Sequence, residues 1–141
     1  MEIHSGLVHF PIALLVIGAA FEVLGRVSKR DSLGVSAHYV ILSGAVIGLA
    51  TAGTGLLASR EVQDPELAKT LALHGFLGLS VVGLAIVLSA WRSAARKTLT
   101  GAAAAIYLVL LVVGAGLAVG TGWLGGQIAH SGHSHEDHHE H

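Results

Sequence analysis

Ten of the 141 residues are histidine and none is cysteine. Imidazole ligates haem iron and borderline transition metals and exchanges protons near neutral pH. A chain without thiols has no disulfides, thiolate zinc, iron–sulfur clusters or thiol catalysis. Six of the histidines crowd into the last residues, where His133, His135, His138, His139 and His141 follow His130 in the run HSGHSHEDHHEH, with Glu136 and Asp137 among them. That mixture of imidazole and carboxylate suits zinc or copper. Its affinity falls in acid, because ligation needs neutral imidazole. The other four, His4, His9, His38 and His74, are dispersed through apolar sequence.

Composition fixes what must hold them. The chain is 52% hydrophobic, 12% charged and has a formal net charge of -1. Soluble domains carry about 25% charged residues, so the deficit points to a bilayer and the charge gives no footing for nucleic acid. Four apolar stretches, at about residues 7–25, 36–59, 70–91 and 101–126, each have the length of about 20 residues that crosses a hydrocarbon core as a helix. No segment alternates as a membrane strand would. The fold class is therefore an all-α integral membrane protein, an up-down bundle of four transmembrane helices over residues 1–129, with 130–141 a disordered tail. The first stretch is a retained helix rather than a signal peptide, since no basic region precedes it.

Basic residues orient the bundle. Arg26, Lys29, Arg30, Arg92, Arg96 and Lys97 lie in the first and third loops, against Arg60 and Lys69 in the second. The positive-inside rule then puts those two loops in the cytoplasm and both termini on the periplasmic side of a prokaryotic inner membrane. Tyr39, Trp91 and Trp123 fall near helix ends, as an interfacial belt requires.

In that topology His4, His9, His74 and His130 share the outer end, and helices 1 and 3 stand diagonally across the core. His9 and His74 then face each other at one depth, with Gly75 and Gly78 leaving room beside His74. This is the arrangement of a bis-histidine haem b, and an intramembrane histidine usually marks a site. Pro11 directs helix 1 to begin or kink near it, which holds His9 on an irregular stretch. At the other end, Glu22 has Arg26 one turn away and His38 at similar depth, and a structural salt bridge is preferred to a proton relay. Gly44 with Gly48, and Gly116 with Gly120, form small-xxx-small faces for close helix packing, for a flat cofactor, or for other membrane helices, including a second copy. A histidine-bearing helix followed by a glycine-rich one occurs twice, as a duplicated hairpin would.

The runs Val8-His9-Phe10-Pro11-Ile12-Ala13-Leu14, Leu73-His74-Gly75 and Gly122-Trp123-Leu124-Gly125-Gly126, with His4 ahead of them, resemble a bacterial membrane family catalogued as domain of unknown function 2231. The resemblance spans nearly the whole chain and implies four membrane helices without a settled activity. Its histidine placement is similar to that of b-type cytochromes. After the double glycine this chain has Gln127, His130, Ser131 and Gly132 where the family often has an acidic residue and an aromatic-basic-His-Gly stretch, and the histidine-rich tail departs from the family pattern.

Three functions follow as expectations. The first is a haem b electron-transfer subunit with a redox partner, using His9 and His74 and not an enzyme on its own. The second is a zinc or copper protein using His4, His9, His74, His130 and the tail. The third is a cofactor-free accessory subunit. Hydrolase and transferase chemistry lacks its residues here, and a transporter usually needs more helices.

Overall fold

A computed structural model describes residues 2–61, 63–95 and 99–133; for 2–6, 58, 61 and 128–133 the description is of the backbone alone. The described residues are helical apart from short connections: α1 Glu2–Val27, α2 Asp31–Ala58, α3 Pro65–Ala94 and α4 Gly101–His133, with a 3₁₀ turn at Ser59–Glu61 after α2. All four helices are long and apolar enough to cross a membrane. Each of α1 and α3 packs on both α2 and α4, so α1 and α3 occupy opposite corners of the bundle. The tight connections alternate helix direction, which brings the amino end of α1, the amino end of α3 and the carboxyl end of α4 to one end, here the histidine end. The opposite, arginine end holds Arg26 and Arg92.

The helices are amphipathic by size more than by polarity. On α1 the buried positions are Pro11, Leu15, Gly18, Ala19, Glu22 and Gly25; on α4 they include Ala104, Tyr107, Leu111, Gly114, Ala118 and Thr121. Steps of three and four residues make one inward stripe per helix. Alanine and glycine on these stripes allow close backbone approach, which is how helices associate in lipid. Phe10, Phe76 and Trp123, between 60% and 70% exposed, point outward into what the bilayer covers. Mid-bundle packing is tight: the void among Leu15, Val81, Leu84 and Leu111 is about 10 Å³, too small and too apolar to hold water.

Two local features have clear causes. Asp64 caps α3 by accepting from the Glu66 amide at 2.9 Å, with Pro65 in the first helical position, where a missing N–H costs nothing. The α1–α2 turn passes through Lys29 at φ 55°, the left-handed conformation that ends helices.

Two expectations need correction here, and the glycine faces divide. Helix α1 does not begin at Pro11 but runs from Glu2 through it, so His9 lies within the helix rather than ahead of it. Proline removes one intrahelical donor near the start of the helix, and its ring is buried where α2 has Gly44 and Gly48. Helix α4 continues past residue 129 to His133, so His130 and His133 ride on helix; His135, His138, His139 and His141 lie outside the described residues. Of the two glycine pairs, Gly44 and Gly48 are packed inside the bundle, whereas Gly116 and Gly120 are exposed and have open space around them.

Candidate functional site

The histidine end is built around His74, half-buried on the third turn of α3. Its Nδ1 lies 3.1 Å from the Thr121 carbonyl oxygen of α4. A carbonyl only accepts, so in neutral imidazole Nδ1 carries the proton and Nε2 keeps the lone pair. Gly125 makes this contact feasible. A Cβ there would stand 2.8 Å from His74 Cε1, so any side chain would push the ring off α4.

His9 is placed differently from the expectation. It is exposed, off the stripe formed by Pro11, Leu15, Gly18 and Glu22, and does not face His74 across the interior. Ile12 occupies the α4-facing position instead, close enough to Gly122 that a Cβ would meet Ile12 Cδ1 at 2.6 Å. Gly75 is exposed with open space, and Gly78 has Thr121 Cγ2 as its near neighbour across to α4, at 3.9 Å from a Cβ position. The backbone brings His4 and His9 of α1, His74 of α3 and His130 and His133 of α4 to the same end. Among the described residues no three histidine, aspartate or glutamate side chains stand together as a metal-binding group.

A haem between His9 and His74 does not fit this packing. The Ile12–Gly122 and His74–Gly125 contacts close the interior at that level. A groove of about 430 Å³ exists elsewhere, between α1 and α4, where Val16, Ala20, Val23 and Val112 line it without a histidine. A metal ion at the bundle end needs no such slot.

The arginine end is a second, more buried constellation with contributions from all four helices. Glu22 of α1, 3% exposed, accepts from Arg26 Nε at 3.0 Å and from Nη2 at 2.7 Å, the salt bridge expected from their spacing. Arg26 also donates to the Leu99 carbonyl at 3.1 Å, tying α1 to the chain entering α4. On α2, His38 Nε2 lies 3.3 Å from Ser93 Oγ of α3, rather than on Glu22. Since Ser93 donates its hydroxyl proton to the Ser89 carbonyl at 2.9 Å, His38 Nε2–H is the donor in their contact. Tyr107 of α4 is fully buried, edge-on to Trp91 with ring centroids 6.0 Å apart.

Five buried atoms of this cluster have no hydrogen-bond partner among the described residues: Glu22 Oε2, His38 Nδ1, Ser89 Oγ, Arg92 Nε and Tyr107 OH. Buried polar groups are nearly always paired, and in lipid the penalty for leaving them unpaired is larger. Arg92 takes part in neither ion pair of the described residues, which are Arg26–Glu22 and Lys69–Glu66.

The sequence points to Glu22, Arg26 and His38 but passes over Ser89, Arg92, Ser93 and Tyr107. A signal was present. Ser89, Arg92 and Ser93 recur at helical spacing late in an apolar segment, and Tyr107 interrupts an alanine-rich one. Arg92 was absorbed into the loop-charge count that sets orientation.

Residues 1–138 match the family model described as Predicted membrane protein (DUF2231). No curated protein and no solved structure gives a significant match.

Proposed function

Since this chain belongs to the DUF2231 family of predicted membrane proteins, we propose that it works from within a bilayer, binding a transition-metal centre at its histidine end with His74 as the anchoring ligand. The observation that carries this reading is the His74 Nδ1 bond to the Thr121 carbonyl. Metal-ligating histidines almost always donate their other ring N–H to a carbonyl or carboxylate, which fixes the tautomer and aims the free nitrogen. Here it is Nε2 that is free for ligation.

Zinc or copper is the metal that imidazole and carboxylate suit. His74 supplies the fixed ligand, and His4, His9, His130 and His133 are the histidines that the backbone brings to that end. The tail through His141 then serves as a collecting segment that delivers metal. With the arginine end in the cytoplasm, as the positive-inside rule orients it, the site opens on the periplasmic side of an inner membrane.

Haem b is the second reading, because the same Nδ1–carbonyl bond serves an axial histidine. It requires α1 to withdraw so that His9 turns inward, and the packing described above does not accommodate it. The chain would then carry electrons for a redox partner rather than catalyse a reaction.

One preparation tests both readings. The detergent-purified full chain, made in haem-replete cells, is scanned oxidised and reduced, then loaded with zinc or copper and dialysed. The metal reading expects a colourless protein that retains metal, loses it in His74→Ala, and keeps a reduced amount when residues after Gly132 are deleted. Soret and α/β bands lost in both His9→Ala and His74→Ala would replace metal by haem. Retention unaffected by His74→Ala would sink both.

A further inference from the structure

The geometry points to a second site at the arginine end, independent of the first: the polar chamber among Glu22, His38, Ser89, Arg92 and Tyr107 binds a protonated phosphate, either the free ion or a phosphomonoester headgroup. Three observations converge on it.

The first is charge. Two guanidiniums, Arg26 and Arg92, share the chamber with one carboxylate, Glu22, and that carboxylate is already bound to Arg26. Arg92 is left as a cation in the last turn of a membrane helix, with Nε buried and without a partner among the described residues. Intramembrane arginine is rare and normally paired, so the missing partner is an anion.

The second is the inventory of unpaired atoms. Arg92 Nε–H and the Ser89 and Tyr107 hydroxyls are donors in want of an acceptor. Glu22 Oε2 only accepts. His38 donates from Nε2 to Ser93, so its neutral ring leaves Nδ1 as an acceptor as well. An anion offering oxygens alone satisfies the three donors and repels the two acceptors. Dihydrogen phosphate satisfies both sets, because its unprotonated oxygens accept while its two P–OH groups donate to Glu22 and His38. Hydrogen phosphate and a singly protonated phosphomonoester, with one P–OH each, satisfy the donors and one of the two acceptors. Sulfate and phosphodiesters have no such hydroxyl at neutral pH.

The third is position. A Cβ on Gly34 would have Arg92 Nη2 and Glu22 Oε2 as its nearest neighbours, both at 3.8 Å, so the backbone at the start of α2 passes beside both groups. Glu22 and Arg92 are near the carboxyl ends of α1 and α3, and Gly34 and His38 near the amino end of α2, at the level where a bilayer's headgroups begin.

The test compares anions on the intact chain in detergent, at matched ionic strength and in the low millimolar range, below the range where excluded salts stabilise any fold. Phosphate is expected to raise the melting temperature by about 4 °C or more at saturation, with sulfate inert. Arg92→Gln should abolish the phosphate effect. Glu22→Gln adds an amide donor where the carboxylate stood and leaves His38 Nδ1 as the one acceptor, so the preference for phosphate over sulfate should narrow. Native mass spectrometry after exposure to phosphatidic acid or phosphatidylglycerol separates the sources. Retention of phosphatidic acid alone, lost in Arg92→Gln, assigns the site to a headgroup; a phosphate effect without lipid retention assigns it to the free ion. Equal stabilisation by sulfate and phosphate in the unmodified chain, a phosphate effect that survives Arg92→Gln, or neither phosphate effect nor lipid retention overturns the proposal.

Discussion

The two ends of the bundle handle polar groups in opposite ways. At the histidine end His74 is half-buried and held by one bond, between Nδ1 and the Thr121 carbonyl. At the arginine end a carboxylate that is 3% exposed is clamped by two bonds from Arg26, and its second oxygen and four further buried atoms lack a hydrogen-bond partner among the described residues. A bundle end near the interface tolerates a spare lone pair because water is close. The buried chamber does not. The difference predicts that substitutions at the arginine end register in folding, and those at the histidine end in ligand content.

The largest expected effect sharpens that contrast. Glu22→Ala leaves the part-buried Arg26 guanidinium with the Leu99 carbonyl but without its counter-charge, and breaking a buried pair costs up to about 3–5 kcal/mol. Reversible unfolding in detergent or bicelles should show the loss, and a change below that range would mean that water already reaches the pair. Gly125→Ala comes next. Its Cβ would meet the His74 ring at 2.8 Å, so the fold should lose about 1–3 kcal/mol from overpacking, and bound metal should fall although every ligand remains. His74→Ala should cost about 1 kcal/mol, the scale of one hydrogen bond, while emptying the site; stability lost without ligand loss would reverse the comparison. The smallest effect is Tyr107→Phe. Removing a hydroxyl that has no protein partner should stay within about 1 kcal/mol of neutral, and a larger loss would show that the hydroxyl is bonded in the native membrane.

Helix number, the up-down path and the sharing of one end by His9, His74 and His130 were legible in the sequence, because span length and loop length are read directly from apolar runs. The Glu22–Arg26 pair was legible for a similar reason: one turn of helix fixes its spacing. What was not legible is rotation about each helix axis. His9 was expected to face inward on the strength of its depth. Depth and facing are separate quantities, and in a helix whose stripe is marked by alanine and glycine, apolar periodicity carries little signal. Pro11 misled for a related reason. As a local signal it ends helices, yet here it is the side chain that faces Gly44 and Gly48. The arginine-end cluster was legible only in Glu22, Arg26 and His38; Ser89, Arg92 and Tyr107 escaped because they come from α3 and α4, and no spacing along the chain relates them to α1.

Glycine brings α1 and α2 together along most of their length. A Cβ on Gly18 would meet Ile41 Cγ1 at 2.5 Å, one on Gly25 would meet the Gly34 amide nitrogen at 3.1 Å, and one on Gly44 would meet Leu14 Cβ at 3.1 Å. The two helices are also joined by a turn whose backbone bends sharply at Lys29. In mechanical terms this pair is a single stiff beam, and α3 and α4 lean against it. A pulling force applied between the ends of the chain, as with magnetic tweezers on bicelle-held protein, would peel α4 and α3 away first and leave the α1–α2 hairpin as the last unit to yield. Because His74 belongs to the peeled half and Glu22 to the beam, the histidine end would come apart while the beam still held its salt bridge.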